Sequence, residues 1–318
     1  MTTGRMDIDR RIIPLHASES MWMAPDGWPL RRLDWSESSN ARGSILFLTG
    51  RADHYEKYLE AIGRFVANGW RVTSFDWRGQ GGSGRLLPDP TVGHIDDFSC
   101  WVDDLAAFWR DWKAQCPGPH VIVAHSMGGH LTLRALAEQR IDPTAIALCA
   151  PMLGLRSGVF PTFLLHPIAR LMKAIGDPNR PAWKAPHEEM GAGSMRQTNL
   201  THDLARFADE IYWQTQHPEL RLGPPSWQWV ERAIASTRML KSADILKSIT
   251  APTLILVSQY DRLVDAKRIE RDAGLLPNAE LALFGHEAAH ELLREQDYVR
   301  NKCHDLIDGF LARKAPSL

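Results

Sequence analysis

The chain has 318 residues, of which 44% are hydrophobic, and its formal net charge is −1. This length and composition suit a globular protein with a full core, built as one large domain with an insertion or as two smaller domains. The near-neutral charge excludes a global basic field for nucleic acid, and no apolar run approaches the ~20 residues of a membrane-spanning helix. Four widely spaced cysteines without a C-x-x-C pair indicate free thiols. We therefore expect a cytoplasmic protein, with loose membrane attachment left open.

The first half of the chain predicts an antiparallel start followed by alternating strands and helices. Pro25-Asp26-Gly27 is typical of the turn between two hairpin strands. The strands predicted after this hairpin cover 44–48, 71–75, 121–124 and 146–149, and the helices cover 55–68, 98–114 and 127–138. This alternation predicts an α/β fold, with a mostly parallel sheet and helices on both of its faces.

The alternation stops at Pro151 and resumes at Pro252, where 253–257 and 281–284 are predicted strands. The intervening segment is rich in proline and tryptophan and includes an amphipathic stretch, 203–216. Its tryptophans either line an acyl groove or attach a helical layer to the sheet. We therefore predict a core formed by 1–150 and 251–318, with residues 151–250 inserted as a helical cap.

The segment 121–130 predicts a nucleophile elbow. A β-branched strand leads directly into a turn of small residues with Ser126 at its apex. Such a turn holds a serine in strained backbone geometry, clear of the main chain, and Gly128 provides the small neighbour that the strain requires. The alternative is an ordinary serine N-cap at the start of a helix.

A serine nucleophile needs a base to accept its proton and a third group to orient that base. In serine hydrolases with parallel sheets, the acid and then the histidine follow late strands. Asp261 follows the strand 253–257, and His290 follows the strand 281–284. The alternative for Asp261 is ordinary turn chemistry. Asp265 is a rival acid, but it more naturally caps a helix over 266–273.

An oxyanion hole needs two backbone N–H groups directed at the developing negative charge. One comes from the residue after the serine, and the other comes from the loop after an early strand. Met127 and Arg51 occupy these two positions, since Arg51 lies just after the strand 44–48. The alternative is that Gly50-Arg51 forms a simple turn.

The chain resembles the monoacylglycerol-lipase-like branch of the α/β hydrolases, and especially bacterial proteins described as lysophospholipases. The segments that carry this resemblance are 48–51, 55–58, 76–83, 125–129, 260–265 and 289–291, with 199–203, 206–207 and 218–220 in the predicted cap. The resemblance implies a serine ester hydrolase with Ser126, Asp261 and His290 as its triad. The chain departs from the pattern at Ala124, where glycine is usual, and at Thr49, where many relatives have histidine.

Two motifs indicate different chemistry. His286-Glu-Ala-Ala-His290 matches H-E-x-x-H, which binds zinc when it lies on a helix, and the following 292–307 is predicted to be helical. However, no third ligand is clearly placed. The glycine-rich stretch 79–84 matches a dinucleotide-binding fingerprint, but a proline-containing segment follows it instead of a helix. We expect neither a metal nor an organic cofactor.

The remaining histidines are assigned no catalytic role. We expect His125 and His130 to be structural, because His125 cannot easily face its own neighbour Ser126 and His130 lies one turn along the helix. His54 either lines the pocket or lies in a solvated loop.

The sequence therefore predicts hydrolysis of a lipid-like carboxylic ester, of lysophospholipase or monoacylglycerol lipase type, through an acyl-serine intermediate. A thioesterase or peptidase with the same triad and a non-catalytic lipid-binding homologue are the alternatives, and a zinc hydrolase is disfavoured. The expected partner is a small lipid ester, with peripheral membrane contact through the cap left open and no nucleic acid. The sequence does not give the oligomeric state.

Overall fold

The computed structural model describes residues 8–38, 40–156, 162–184 and 193–317. Eight strands form one sheet in the order β1-β2-β4-β3-β5-β6-β7-β8. The strands are β1 (Ala17–Met23), β2 (Pro29–Trp35), β3 (Ser44–Leu48), β4 (Arg71–Phe75), β5 (His120–His125), β6 (Ala145–Cys149), β7 (Thr253–Ser258) and β8 (Ala279–Phe284).

The predicted α/β architecture is confirmed. Strand β2 pairs antiparallel with β1 and β4, and the pairs from β4 through β3, β5, β6 and β7 to β8 are all parallel. The helices are α1 (Leu59–Ala67), α2 (Phe98–Gln115), α3 (Met127–Ala137), α4 (Thr162–Ala174), α5 (Met195–Leu200), α6 (Leu204–Gln216), α7 (Trp227–Met239), α8 (Ala243–Ser248), α9 (Ala266–Ala273) and α10 (Asp297–Lys314).

Strand β3 illustrates why the central strands have near-continuous apolar sequences. Leu46 and Leu48 pack into a buried cluster that contains side chains of α2, α3 and α9. Ile45 and Phe47 face the other way, into a cluster with side chains of α1 and α10. Alternate residues of a strand point to opposite faces, so a sheet covered on both sides needs apolar residues at every position.

Helices α4 to α8 lie between β6 and β7 in the chain, within the segment predicted to form a cap. Trp213 and Trp229 from this segment are buried, one in each of the two core clusters. Trp229 packs on Phe98 of α2, with ring centroids 5.6 Å apart. These two tryptophans therefore attach the inserted helices to the sheet. The independence of 151–250 as a domain stays a prediction.

Two predicted helices differ from the structure. The segment predicted at 55–68 begins with a 3₁₀ turn, Tyr55–Tyr58, before α1. The segment predicted at 292–307 is divided into a 3₁₀ turn, Leu292–Arg294, and α10. The division follows from the buried carboxylate of Glu295, which accepts hydrogen bonds from the backbone N–H groups of Ala289 (2.7 Å) and Gln296 (3.1 Å). In the described part of the chain, no helix is both long and apolar enough to cross a bilayer.

The close approach of α3 to β3 depends on Gly128. A Cβ at this position would lie 2.6 Å from the carbonyl oxygen of Thr49 and 2.7 Å from that of Leu48. Both oxygens belong to backbone that is held in the sheet or beside it, so neither can move away without disturbing the sheet. A glycine is therefore required two residues after Ser126.

We expect Gly128→Ala to lower the free energy of unfolding by about 1–3 kcal/mol, because the added methyl group overpacks this contact. Gly309→Ala is the matched control, since a Cβ there comes no closer than 3.7 Å to another group in α10. That control should stabilise the protein by about 0.5–1 kcal/mol. Urea unfolding measures both effects, and equal stability of the two variants would contradict the prediction.

Candidate active site

Ser126 lies between β5 and α3 in a strained backbone conformation, with φ 50° and ψ −113°. Its N–H donates to the carbonyl oxygen of Cys149 (2.9 Å). Its own carbonyl oxygen accepts hydrogen bonds from the N–H groups of His130 (3.1 Å) and Met152 (3.0 Å). These bonds anchor the strained residue on both sides, so the hydroxyl is held clear of the main chain.

The structure brings Ser126, His290 and Asp261 together. Nε2 of His290 lies 3.0 Å from Oγ of Ser126, and Nδ1 of His290 lies 2.7 Å from Oδ2 of Asp261. The other carboxylate oxygen of Asp261 accepts hydrogen bonds from the N–H groups of Leu263 (2.8 Å) and Val264 (3.0 Å). Both carboxylate oxygens are thereby occupied, and the aspartate is fixed in the orientation that faces the imidazole.

Asp265 lies elsewhere. Its side chain caps α9 by accepting a hydrogen bond from the N–H of Arg268 at 3.2 Å. The preference for Asp261 over Asp265 as the partner of His290 thus agrees with the geometry.

Charge around the imidazole favours its protonated form. Burial acts to lower the pKa of His290, but the carboxylates of Asp261, Glu291 and Asp53 outweigh burial and raise it above the usual 6.5. Burial acts to raise the pKa of Asp261, but His290 and the two backbone donors lower it on balance. The aspartate therefore remains a carboxylate that can stabilise an imidazolium.

His125 is a near neighbour of this group, although it precedes Ser126 in the chain. Its ring centroid lies 4.7 Å from that of His290. Burial, followed by the charge of His290, lowers the pKa of His125 to about 4. His125 is therefore neutral at physiological pH. His130 is buried and bonded to Oγ of Ser236 (2.7 Å), and His54 is buried against Glu56 (2.9 Å) instead of lining a pocket or facing solvent.

The loop after β3 reaches the serine. A Cβ added at Gly50 would lie 3.2 Å from Cβ of Ser126. Within this loop, the N–H of Gly50 donates to Asp53 (2.9 Å) and the N–H of Ala52 donates to Gln80 (2.6 Å). The N–H of Arg51, between them, has no partner among the described residues.

Met127, the other predicted oxyanion donor, is the first residue of α3. The first N–H groups of a helix have no acceptor within the helix and carry partial positive charge. The N–H of Met127 therefore has no acceptor within α3, and the role of the Arg51 and Met127 N–H groups as oxyanion donors stays a prediction.

Neither competing motif has the structure its chemistry requires. Residues 286–287 form a turn and none of residues 286–290 is helical, and the exposed ring of His286 stacks on Tyr260. The two histidines therefore do not share a helix face. The glycine-rich stretch 79–84 is a turn whose Gly82 N–H donates to Asp76 (2.8 Å), and no helix begins there.

Sequence reasoning missed a buried group of charges beside His290. Asp53, His125 and Glu291 offer ligand atoms that lie within 4.8 Å of one another. Nζ of Lys57, however, lies 2.5 Å from Asp53 and 2.8 Å from Glu291, so an ammonium already neutralises these carboxylates. The three residues do not fit a metal site. Only the spacing of Asp53 and Lys57, four residues apart, could have indicated the pair.

Comparison with known proteins agrees with this geometry. A profile of the family described as serine aminopeptidase, S33 matches residues 39–297. The chain belongs to this family. It is similar to lysophospholipase L2 of Escherichia coli strain K12, with 32% identity over 94% of this chain and 89% of the relative. It is also similar to a monoacylglycerol lipase of Mycolicibacterium smegmatis, with 28% identity over 41% of this chain and 45% of that protein.

Solved structures of low sequence identity share the fold. A soluble variant of monoglyceride lipase from Saccharomyces cerevisiae, solved with a substrate analogue, superposes with a TM-score of 0.75 at 20% identity, covering 94% of this chain and 95% of that one. With the family match and the similarity to lysophospholipase L2, this fold shows that the chain is an α/β hydrolase that resembles lysophospholipases and monoacylglycerol lipases.

The raised pKa of His290 predicts how activity depends on pH. An imidazolium cannot accept the serine proton, so kcat/KM should rise with pH and reach half its plateau above pH 6.5. His125, with a pKa of about 4, contributes nothing in this range. Asp261→Asn should move this midpoint to lower pH and reduce kcat by about 10⁴-fold. A midpoint well below 6.5 in the parent protein would contradict the assignment. The measurement is a pH profile of ester hydrolysis with chemistry rate-limiting.

Proposed function

We propose that the protein hydrolyses lysophospholipids through an acyl-serine intermediate, with Ser126, His290 and Asp261 as the catalytic residues. The continuous contact from Ser126 Oγ through His290 to Asp261, with separations of 3.0 and 2.7 Å, is the observation that carries this proposal. The similarity to lysophospholipase L2 over nearly the whole chain supports the substrate class.

In the first half of the reaction, Oγ of Ser126 attacks the ester carbonyl carbon while Nε2 of His290 takes the hydroxyl proton. The N–H groups of Arg51 and Met127 donate to the negatively charged oxygen of the tetrahedral intermediate. The bond between the carbonyl carbon and the alcohol oxygen then breaks. His290 returns its proton to that oxygen, the alcohol leaves, and the acyl chain remains on Ser126.

In the second half, water attacks the acyl carbon and gives a proton to His290. Collapse of the second tetrahedral intermediate breaks the bond to Ser126, which recovers its proton from His290. A fatty acid is released. Asp261 keeps its charge throughout and stabilises the imidazolium that forms in each half.

The side chain of Arg51 supports a phosphorylated substrate over a neutral monoacylglycerol. Its guanidinium donates to the carbonyl oxygen of Gly223 (2.5 Å) and lies over the ring of Trp229, 5.2 Å from the ring centre. The Nε atom of Arg51 is buried without a hydrogen-bond partner. The guanidinium forms no ion pair with any of the described residues. Burial, and next the charge of Arg196, lower its pKa to about 10. A phosphodiester would supply the missing anion.

A fluorophosphonate probe tests the nucleophile, and mass spectrometry identifies the labelled residue. We expect labelling of Ser126 in the parent protein and its loss in both Ser126→Ala and His290→Ala. A non-catalytic lipid-binding protein would leave Ser126 unlabelled, which would reject the hydrolase.

The same preparations test the headgroup, by comparing kcat/KM for a lysophosphatidylcholine and a monoacylglycerol of equal chain length. We expect Arg51→Gln to reduce the preference for the phosphorylated ester by about 10–100-fold, the effect of one charge-assisted hydrogen bond. Arg221→Gln is the control, because Arg221 is an exposed arginine two residues before Gly223, whose carbonyl oxygen binds Arg51. An unchanged ratio in Arg51→Gln would reject the headgroup contact and leave ester hydrolysis standing. Thioester and peptide substrates in the same assay test the two enzymatic alternatives.

Peripheral contact with a membrane is the second part of the proposal. Leu164 and Leu171 lie on one face of α4, Ile175 directly follows the helix, and all three are exposed, Leu171 and Ile175 to 57% each. Trp183, 55% exposed, follows α4 in the chain. Exposed apolar side chains on one helix face are suited to the boundary between headgroups and acyl chains.

We expect the parent protein to sediment with phosphatidylethanolamine and phosphatidylglycerol vesicles, and the double variant Leu171→Gln, Ile175→Gln to lose at least about half of that binding. Met21→Gln is the control, since Met21 on β1 is exposed to the same extent, 57%. Equal binding of the parent protein and the double variant would exclude α4 as the contact.

A further inference from the structure

Lys57 is a buried cation outside the proposed catalytic residues, and its contacts are unusual. Its side chain is 1% exposed. Its ammonium lies 2.5 Å from Oδ1 of Asp53, 2.8 Å from Oε1 of Glu291 and 3.0 Å from Oε2 of Glu210. The ammonium donates hydrogen bonds to Asp53 and Glu291 and forms an ion pair with Glu210.

Each of the three carboxylates belongs to a different part of the site. Asp53 ends the loop that carries Arg51, and its second oxygen accepts hydrogen bonds from the N–H of Gly50 (2.9 Å) and the hydroxyl of Tyr58 (2.9 Å). Asp53 therefore determines the shape of the loop that presents the proposed oxyanion donor.

Glu291 directly follows His290 in the chain. Its N–H donates to the carbonyl oxygen of Leu200 (2.8 Å), and the N–H of His290 donates to that of Asn199 (3.3 Å). Because Glu291 and His290 are consecutive, a contact that holds the Glu291 side chain also restrains the backbone of His290. Glu210 comes from α6, one of the inserted helices, so the ammonium also joins that helix to the two loops.

This buried group contains three carboxylates and three cations, so its formal charges cancel. Asp53, Glu210 and Glu291 face Lys57, and Glu210 and Glu291 also contact Arg294, while Glu210 contacts Arg196. Burial acts to lower the pKa of Lys57, but the three carboxylates outweigh burial and raise it. Removal of one charge leaves a buried opposite charge uncompensated, which is costly in a low-dielectric interior.

We propose that Lys57 is a positioning residue for catalysis, whose ammonium holds the Arg51 loop and the His290 loop in their working arrangement and fastens both to α6. This inference rests on the proposed function. It adds a residue that touches neither the substrate nor the reacting atoms. Misplacement of catalytic groups by as little as an ångström costs about 10²-fold in rate, so loss of this contact should reduce kcat more than it raises KM.

If Lys57 positions the site, its charge should also affect how kcat/KM depends on pH, which a purely structural role would not require. The groups that face His290 are Asp261 from the loop after β7, His125 from the end of β5, Asp53 from the loop after β3, and Glu291 from its own loop. Of these, Asp53 and Glu291 are the carboxylates that Lys57 neutralises. Removing the ammonium should favour the imidazolium and move the acid limb of kcat/KM to higher pH. Removing the charge of Glu291 should move it to lower pH.

The experiment measures kcat and KM for a soluble p-nitrophenyl ester from about pH 5 to 9 in Lys57→Met, Lys57→Arg and Glu291→Gln. Lys267→Met is the control, because Lys267 is an exposed lysine on α9. We expect Lys57→Met to lose about tenfold or more in kcat with a much smaller change in KM, and Lys57→Arg to recover part of the loss. The midpoints of Lys57→Met and Glu291→Gln should move in opposite directions from that of the parent protein.

Circular dichroism and urea unfolding verify that each variant is folded. A folded Lys57→Met with parental kcat would overturn the positioning role while leaving the proposed function intact, as would midpoints that shift in the same direction. If Lys57→Met does not fold, a folded Glu291→Gln whose midpoint does not move to lower pH also overturns it. A parent protein that neither turns over the ester nor labels at Ser126 would overturn the proposed function and this inference together.

Discussion

The contact between the start of α3 and the end of β3 is the constraint on which the site depends. Gly128 faces the carbonyl oxygens of Leu48 and Thr49 so closely that no side chain fits between them. This approach holds Ser126 in its strained conformation and brings the loop after β3 beside the serine. The strain is retained because the sheet fixes both partners through hydrogen bonds and buried apolar side chains. The geometry of Ser126 therefore depends on the whole sheet.

Much of the fold and the candidate site could be predicted from the sequence, because the relevant signals are local. The strands over 44–48 and 71–75 are short apolar runs bounded by turn residues, and the structure has them at the predicted positions. Ser126, Asp261 and His290 each follow a predicted strand. Since parallel strands place their carboxyl ends along one edge, residues that follow them have a limited region in which to meet.

The features that were not predicted depend on contacts between distant parts of the chain. Lys57 lies in a segment predicted as a helix, and nothing nearby in the sequence indicates that Glu291, 234 residues away, is its partner. The break before α10 likewise depends on Glu295, whose carboxylate turns inward to bind backbone N–H groups. Whether a charged side chain is buried is decided by tertiary structure, so patterns of hydrophobicity predict these residues as solvated.

The order of the site residues along the chain has a consequence for biosynthesis. Ser126 and its strand are translated well before β7 and β8, and Asp261 and His290 come from the last fifth of the sequence. A nascent chain that has exposed the elbow still lacks the base and the acid, and Lys57 still lacks Glu291. Under the proposed assignment, lipid hydrolysis can begin only after the segment that carries His290 has been translated. Until then the chain is inactive without any separate inhibitor.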